Sequence, residues 1–232
     1  MSRWNLAQDY ERNWWEKRSE TIDFDFYKSF ATELVQYTNA HFSIKDDSKI
    51  LECGSGAGGI LTYLTSSGQR YAFDPLENFY SSIRSFRTQR DSQVKYITAR
   101  GEEIPFPDKT FDLIIMDNVL DHCESPVKVI SEIKRVLGDN GIVYFKQNTY
   151  HLWGKLIRKV MEFFLIDKGH PHTFTKKNLD SLFKRYDLST IKNSRSGYYK
   201  TWKREFTSKR TIDKIKAILL VNRDKVTYLL KI

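Results

Sequence analysis

Short apolar runs recur along the first two thirds of the chain, each bounded by polar or glycine-rich residues. Phe111–Met116, "FDLIIM", is almost continuously apolar, which is typical of a strand buried on both faces of a sheet. The other runs predict further strands. They are Lys49–Cys53, Tyr71–Phe73, Val94–Thr98 and Ile142–Phe145.

Amphipathic stretches separate these strands. Ser125–Leu137 repeats its apolar residues at helical spacing, and "GDNG" at Gly138–Gly141 predicts a turn into the next strand. Strands that alternate with helices indicate a parallel sheet with helices on both faces. The remaining predicted helices in this part are Asn5–Arg18, Phe24–His41, Gly58–Thr65 and Leu76–Arg87.

Beyond residue 147 the alternation loosens. Gly169–Thr175 predicts a loop whose last residue caps a helix at Lys176–Tyr186. Ser196–Phe206, "SGYYKTWKREF", interleaves aromatic and basic residues, a pattern that suits base stacking, a loop for a sugar phosphate or no particular ligand. The other predicted elements are a basic amphipathic helix at Leu152–Ile166, a strand at Thr190–Ser194, a helix at Thr211–Leu220 and a strand at Lys225–Ile232.

The composition fits a cytoplasmic globular protein. The chain has 232 residues, of which 40% are hydrophobic, and no run approaches the roughly 20 apolar residues of a membrane span. The charged N-terminus lacks the apolar segment of a signal peptide. Cys53 and Cys123 are the only cysteines. Two are too few for a disulfide scaffold or a zinc site, so we expect a reducing compartment and no metal.

Basic and acidic residues are distributed unevenly along the chain. Residues 147–232 hold 20 Lys and Arg against 7 Asp and Glu, whereas residues 1–146 hold 18 against 22. A basic C-terminal part suggests an acidic partner such as a phosphorylated small molecule, nucleic acid or an anionic membrane surface. A basic surface that binds nothing is an equally good interpretation.

The stretch "ILECGSGAGG" at Ile50–Gly59 predicts a buried strand that ends in a ligand-binding glycine turn. Glu52 lies at the mouth of this turn, where it would repel the phosphates of a dinucleotide. A buried carboxylate needs a partner, and the ammonium of S-adenosylmethionine suits it. Glu52 therefore favours that cofactor over NAD, with a capping or salt-bridged glutamate as the alternative. Asp74, in "AFDP" after the next strand, suits the ribose hydroxyls of either cofactor.

Four segments together resemble the class I S-adenosylmethionine-dependent methyltransferases, in particular the small-molecule type. They are "ILECGSGAGG", "AFDP", "GEEIPFPDKTFDLIIMDNVLDH" and "EIKRVLGDNGIVYF", which stand in the order and spacing of that family across Lys49–Gln147. The resemblance implies a Rossmann-like class I methyltransferase fold. Its sheet has seven strands, mostly parallel, with helices on both faces and a C-terminal antiparallel strand.

The resemblance also implies a division of the chain. Residues 1–45 would be N-terminal helices, with aromatic side chains that form either a lid or a packed helix. Residues 46–232 would be the methyltransferase domain, with 148–210 as a cap over the acceptor site. Leu152–Ile166 would cover that site, lie on a membrane surface or pack on the domain.

Residue roles follow from the resemblance for the cofactor. Glu52, Gly54, Ser55 and Gly56 would line the methionine part, Asp74 with Pro75 would hold the ribose, and Leu76 would lie against the adenine. Asp117 and Asn118 would face the methyl or methionine part. Arg100 departs from the family, which often has an acid here, and arginine only donates hydrogen bonds. The adenine would then rely on backbone groups of Arg100 and Gly101, or on Glu102.

Three histidines are candidates for the chemistry. Methyl transfer to a hydroxyl benefits from a base, and histidine suits that role. His122, in "LDHCESP", would lie near the methyl donor, and His170 and His172, in "HPHTFT", would border the acceptor. A local structural hydrogen bond is the alternative for His122, and a rigid loop fixed by Pro171 and the Thr175 cap is the alternative for the other two.

The sequence thus favours an S-adenosylmethionine-dependent enzyme that acts on a small molecule. O-methylation of a sugar or another hydroxylated metabolite is the leading interpretation, with an anionic acceptor as one option. An RNA methyltransferase that uses the basic C-terminal third and a non-catalytic binding protein are the alternatives. Glu52 argues against a nicotinamide-dependent oxidoreductase. The acceptor and the oligomeric state stay open.

Overall fold

Seven strands form one sheet in the order β3-β2-β1-β4-β5-β7-β6. This is a computed structural model, and it describes residues 2–163 and 169–232. The first five strands are parallel, β7 is antiparallel to β5, and β6 is antiparallel to β7. The strands are β1 Lys49–Cys53, β2 Gln69–Asp74, β3 Lys95–Thr98, β4 Phe111–Asp117, β5 Leu137–Thr149, β6 Ser189–Ser196 and β7 Asp224–Lys231.

Helices cover the sheet on both faces. They are α1 Arg3–Glu16, α2 Asp25–Thr38, α3 Glu77–Ser82, α4 Arg84–Arg87, α5 Pro126–Val136, α6 Leu152–Phe163, α7 Lys176–Arg185, α8 Tyr198–Phe206 and α9 Thr211–Ile218. Short 3₁₀ turns occur at Ile60–Tyr63 and Leu120–His122. The strand order and the antiparallel β7 confirm the expected Rossmann-like class I methyltransferase fold.

Two hydrophobic clusters fill the space between the layers. One packs α5 and α7 on one face of the sheet, around Phe111, Phe145 and Phe183. The other packs α2 and the end of α1 on the opposite face, around Phe24, Leu34 and Tyr80. Both clusters contain residues of the central strands, which explains why "FDLIIM" is apolar at nearly every position.

Four local predictions are wrong in detail. The helix predicted at Gly58–Thr65 is only the 3₁₀ turn Ile60–Tyr63. The helix predicted at Leu76–Arg87 is two short helices, because Ile83 is extended between them. The turn predicted at Gly138–Gly141 lies inside β5, where the pairing with β4 shifts register.

The fourth error concerns Ser196–Phe206, for which the sequence predicted no helix. Gly197, at φ 118°, precedes α8, and the aromatic rings of Tyr199, Trp202 and Phe206 stack along that helix. Their spacing of three and four residues is the helical signal that the basic residues obscured.

The other elements follow the predictions to within a few residues. Thr175 is the N-cap of α7, with a capping box to Asn178. The predicted helix Leu152–Ile166 is described as far as Phe163, and its last residues lie outside the described part of the chain. None of the described helices is both long and apolar enough to cross a bilayer. The division of the chain at residue 45 stays a prediction.

Candidate active site

A cavity of about 940 Å³ opens at the carboxyl ends of the central strands. This is where open α/β sheets bind their ligands, and the volume suits a cofactor together with a small acceptor. The first helix forms part of its wall through Trp4, Glu11 and Trp15. Trp15 also packs edge-on against Phe24 and Phe86. The N-terminal segment is therefore a packed helix that also forms part of the cavity wall, and its role as a lid stays a prediction.

The glycine turn after β1 is shaped by main-chain contacts. Gly54 has φ 69°, and its N–H donates to the carbonyl of Phe73 at 2.8 Å. A Cβ atom on Gly54 would lie 2.4 Å from Val119 Cγ1, so only glycine fits. Tyr27 holds the turn from the other side, because its hydroxyl donates to the Ser55 carbonyl. Gly54, Ser55 and Gly56 all line the cavity.

Glu52 lies beneath this turn and is almost fully buried. Its two oxygens accept hydrogen bonds from the backbone N–H groups of Ile60 at 2.8 Å and Leu61 at 3.0 Å. Burial raises the pKa of Glu52 to about 7, although these two bonds oppose the rise. The structure thus contains the capping contact that was the alternative interpretation. Each carboxylate oxygen has a second lone pair, which leaves room for a further donor such as an ammonium group. The contact between Glu52 and the cofactor ammonium stays a prediction.

Asp74 is held in the same manner at the end of β2. One oxygen accepts from the Gly56 N–H at 3.0 Å and the other from the Leu76 N–H at 2.9 Å. Burial, with a contribution from Glu11, raises the pKa of Asp74 to about 7. Pro75 lines the cavity beside Asp74, whereas the Leu76 side chain packs against the core cluster of α2.

Arg100 points toward the N-terminal helix. Its guanidinium lies 4.1 Å from the Trp4 ring centroid and pairs with Glu102 and Glu124. Glu102 accepts from the N–H groups of Glu124 and Ser125 just before α5. Gly101 and Glu102 line the cavity, but the described lining does not include Arg100. Arg100, which stands where the family often has an acid, thus has a structural role, since it holds α1 over the site.

Asp117 and Asn118 follow β4 at the cavity floor. Asn118 has φ 59°, and its side-chain oxygen accepts from the Asn148 N–H at 3.1 Å. Burial raises the pKa of Asp117, and Lys146, whose Nζ is 3.4 Å away, opposes the rise. Lys146 also pairs with Glu33 of α2 at 2.8 Å. The sequence analysis missed Lys146 and Glu33 because they pair across 113 residues.

His122 is surrounded by acidic groups. Its Nδ1 lies 3.3 Å from a Glu11 oxygen, and its Nε2 lies 3.8 Å from an Asp121 oxygen. Burial alone would lower the pKa of His122, but these two carboxylates outweigh it and raise that pKa to about 9. The raised pKa favours the protonated imidazole at neutral pH, and His122 lines the cavity.

The two loop histidines occupy different places. The His170 ring lies 4.7 Å from the His122 ring, and its Nε2 is 3.9 Å from Asp121. His172 is turned toward the Glu124 carbonyl at 3.3 Å. Asp121, His122 and His170 present possible ligand atoms within 4.8 Å of one another. The expectation of no metal therefore stays a prediction.

The cavity lining carries groups of both charges, and the two groups meet where Lys225 lies near Asp117. We call Glu11, Glu52, Asp74 and Asp117 the acidic wall, and Lys200, Arg204, Arg223 and Lys225 the basic wall. In residues 2–163 and 169–232, no side chain of the basic wall lies within ion-pair distance of a carboxylate. Burial and the neighbouring Lys146 lower the pKa of Lys225.

Sequence reasoning identified the C-terminal charge but not the basic wall itself. The spacing of Lys200 and Arg204, four residues apart, would have placed both on one face of a helix. Glu11 was missed, because the sequence suggested a lid from the aromatic residues of this segment but gave no signal for a charged one.

Comparison with known proteins agrees with this geometry. A family model described as "Methyltransferase domain" matches residues 51–145, which contain the glycine turn, Asp74 and His122. Residues 51–145 therefore belong to a methyltransferase domain. A relative, the ubiquinone biosynthesis O-methyltransferase of Rickettsia bellii, is 26% identical over 143 residues, which are 60% of this chain and 59% of that protein. The chain thus spans less than two thirds of that relative's length.

Solved methyltransferase structures share the fold. An S-adenosylmethionine-dependent methyltransferase from Leishmania major has a TM-score of 0.65 and 17% identity, and the match covers 99% of this chain and 83% of that one. Geranyl diphosphate C-methyltransferase from Streptomyces coelicolor has a TM-score of 0.64 and 12% identity, with 86% and 78% covered. That second protein was solved with Mg²⁺, geranyl diphosphate and S-adenosylhomocysteine.

Proposed function

We propose that this methyltransferase transfers the methyl group of S-adenosylmethionine to an oxygen of a small, anionic, hydroxylated molecule such as an acidic sugar. The observation that carries the proposal is one cavity with an acidic wall and a basic wall. A sulfonium cofactor with an ammonium group complements the first wall, and a phosphate or carboxylate on the acceptor complements the second.

The acidic wall fits the family's cofactor. Asp117 lines the cavity with Lys146 as its ion-pair partner at 3.4 Å, and its carboxylate would also accept from the ammonium group of the cofactor. We assign the methionine part to Glu52, Gly54, Ser55, Gly56, Asp117 and Asn118, the ribose to Asp74 and Pro75, and the adenine to backbone groups of Gly101 and Glu102. When bound, the cofactor supplies a methyl group on a positively charged sulfur, which is a good leaving group.

The chain's own residues would contribute positioning and proton transfer. The first helix covers the cavity with Trp4 and Trp15, which would exclude water from the reacting atoms. His122, once it has lost its proton to solvent, would accept the proton of the acceptor hydroxyl. His170, in ring contact with His122, would orient it. Because the pKa of His122 is raised to about 9, this role favours alkaline pH.

Labelled methyl transfer tests the proposal. The protein would be incubated with S-adenosylmethionine that carries an isotopic methyl group and with hydroxylated acceptors in matched anionic and neutral forms. We expect label on an oxygen of an anionic acceptor and little on its neutral counterpart. Equal transfer to both forms would contradict the role of the basic wall. Cofactor binding with no transfer to any hydroxyl would contradict O-methylation.

RNA methylation and a non-catalytic binding role stay alternatives from the sequence. The same assay separates them, since RNA would acquire the label at low salt and would acquire less of it in reactions at higher salt. We favour the small molecule because the basic wall lines a cavity rather than an open groove.

A further inference from the structure

Exposed apolar side chains concentrate on two helices outside the cavity. On α6, Leu152 is 79% exposed and Leu156 is 55% exposed; on α9, Ile218 is 69% exposed. We call the whole group the C-terminal apolar face. Its members are Leu152, Trp153, Leu156, Val160, Ile212, Ile215, Ile218, Leu219 and Leu220. Large exposed apolar groups of this kind mark interaction sites on folded proteins.

The two helices adjoin each other at one end. The indole Nε1 of Trp153, in the first turn of α6, donates to the carbonyl of Leu219 at 3.0 Å. A Cβ atom on Gly154 would lie 3.8 Å from Val221 Cα, so the start of α6 lies directly on the segment after α9. The first turn of α6 therefore adjoins the end of α9, which places Trp153 beside Leu219.

Exposed basic residues lie on the same two helices or directly before them. Lys159 of α6 is exposed, and so are Lys209, Arg210 and Lys214 at the start of α9. The acids of the α8–α9 region are engaged locally, because Glu205 accepts from Asn222 and Asp213 accepts from Ser208. An apolar helix face flanked by lysine and arginine is the pattern of helices that lie in a lipid interface.

We infer that the C-terminal apolar face docks this methyltransferase on the surface of an anionic lipid bilayer. Charge complementarity decides for lipid over a second copy of the chain. A symmetric dimer through this face would bring its lysines and arginines against those of the partner, whereas anionic head groups would attract them. The tryptophan and the long lysine side chains suit the boundary between head groups and acyl chains.

Docking would place the cavity near the bilayer. Lys200 and Arg204 of the basic wall belong to α8, which packs against α9. The docking itself does not depend on the proposed function. The further consequence, that an anionic amphiphile would reach the basic wall from the bilayer, does rest on it.

Vesicle co-sedimentation of the full chain tests the inference. We expect the protein to sediment with vesicles of phosphatidylcholine mixed with phosphatidylglycerol, and much less with phosphatidylcholine alone. The double variant Leu156→Gln and Ile215→Gln should lose roughly tenfold or more of this binding, because two apolar side chains leave the interface. The matched control, Val35→Gln with Val127→Gln, changes two exposed apolar residues elsewhere and should bind like the parent.

Three results would overturn the inference. One is no sedimentation with phosphatidylglycerol vesicles. A second is sedimentation that both double variants retain, since the contact would then be basic charge alone. A third is a concentration-dependent dimer that Leu156→Gln with Ile215→Gln abolishes, since a second copy would then cover the face. The shift in melting temperature with S-adenosylhomocysteine, measured on each variant, shows separately that the variant is folded and that the cofactor site is intact.

Discussion

The two walls of the cavity differ in how their charges are held. On the acidic wall, main-chain N–H groups fix Glu52 and Asp74, each of which accepts two such hydrogen bonds. On the basic wall, Lys200 and Arg204 extend from a surface helix and are exposed. The first wall is thus rigid before any ligand arrives, and the second can adapt to its ligand.

The two walls also differ in how strongly burial disfavours the ionised forms of their side chains. Burial raises the pKa of Glu52 and of Asp74 to about 7, so their ionised forms are disfavoured until a cation approaches. Lys200 and Arg204 of the basic wall are exposed to solvent, whereas burial lowers the pKa of Lys225. This contrast indicates that the acidic wall is specialised for one cationic cofactor, whereas the basic wall selects for charge more than for shape.

Removing Glu52 should have the largest effect. Glu52→Ala leaves the buried N–H groups of Ile60 and Leu61 without an acceptor, so we expect a loss of about 2–4 kcal/mol of unfolding free energy. The affinity for S-adenosylhomocysteine should fall roughly tenfold to a hundredfold, because the ammonium loses its carboxylate. Urea unfolding and titration calorimetry measure the two effects.

Glu132→Ala is the matched control for this variant. Glu132 also accepts from a main-chain N–H, that of Ile104, but it lies outside the cavity. It should lower stability and leave cofactor affinity unchanged. If Glu52→Ala changed stability alone, in the manner of Glu132→Ala, the acidic wall would be structural and not a cofactor site.

For the basic wall we expect substitutions to change the KM for the acceptor and not the affinity for the cofactor. Lys200→Ala combined with Arg204→Ala should raise the KM for an anionic acceptor about tenfold, since charge-assisted contacts are lost. The affinity for S-adenosylhomocysteine should stay within about twofold, because the wall does not form the cofactor site. Steady-state kinetics with calorimetry separates the two quantities.

Lys203→Ala, on the same helix but outside the cavity, serves as the control and should change neither constant. A KM that rises equally for neutral acceptors would show that the double variant deforms the cavity and does not remove an anion contact.

The pH dependence of the rate tests His122. If His122 accepts the proton, kcat/KM should rise with pH and level off above about 9, because the imidazole must first lose its own proton. Glu11→Gln removes one of the groups that raise this pKa, so the rising limb should move to lower pH. The move should be smaller than the whole rise in pKa, because Asp121 also contributes to it. If kcat/KM depended on pH in the same way in His122→Gln as in the parent protein, another group would accept the proton.

The same pKa predicts a modest effect on stability. The folded pKa of His122 lies above the ordinary value of 6.5, so its charged form stabilises the fold. That contribution is complete below pH 6.5 and is lost as the pH rises through about 9. His122→Gln should therefore cost more unfolding free energy at pH 6 than at pH 10, as urea titrations at the two pH values would measure. An equal cost at both would contradict the raised pKa.

The smallest expected effect concerns Arg100. Arg100→Ala removes a half-exposed side chain that holds α1 through Trp4 and Glu124, so stability should fall by no more than about 1 kcal/mol. Hydrogen exchange in α1 should become faster, while cofactor affinity should change less than about threefold. A large loss of affinity would instead place the arginine side chain on the adenine.

The sequence predicted the two walls to different extents for a physical reason. Glu52, Asp74 and Asp117 stand at the ends of apolar strands, so local pattern and the direction of a parallel sheet place them together. Glu11 and Lys146 approach the same site through contacts between residues distant in the chain, which no local pattern records. The helix that carries Lys200 was missed because its aromatic spacing is mixed with basic residues.

Thermal unfolding with added ligand tests the central claim most directly, namely that the acidic wall is a site for the adenosyl cofactor. S-adenosylhomocysteine at a concentration far above its Kd should raise the melting temperature by several degrees, whereas NAD at the same concentration should leave it unchanged. No shift with S-adenosylhomocysteine, or an equal shift with NAD, would contradict the account.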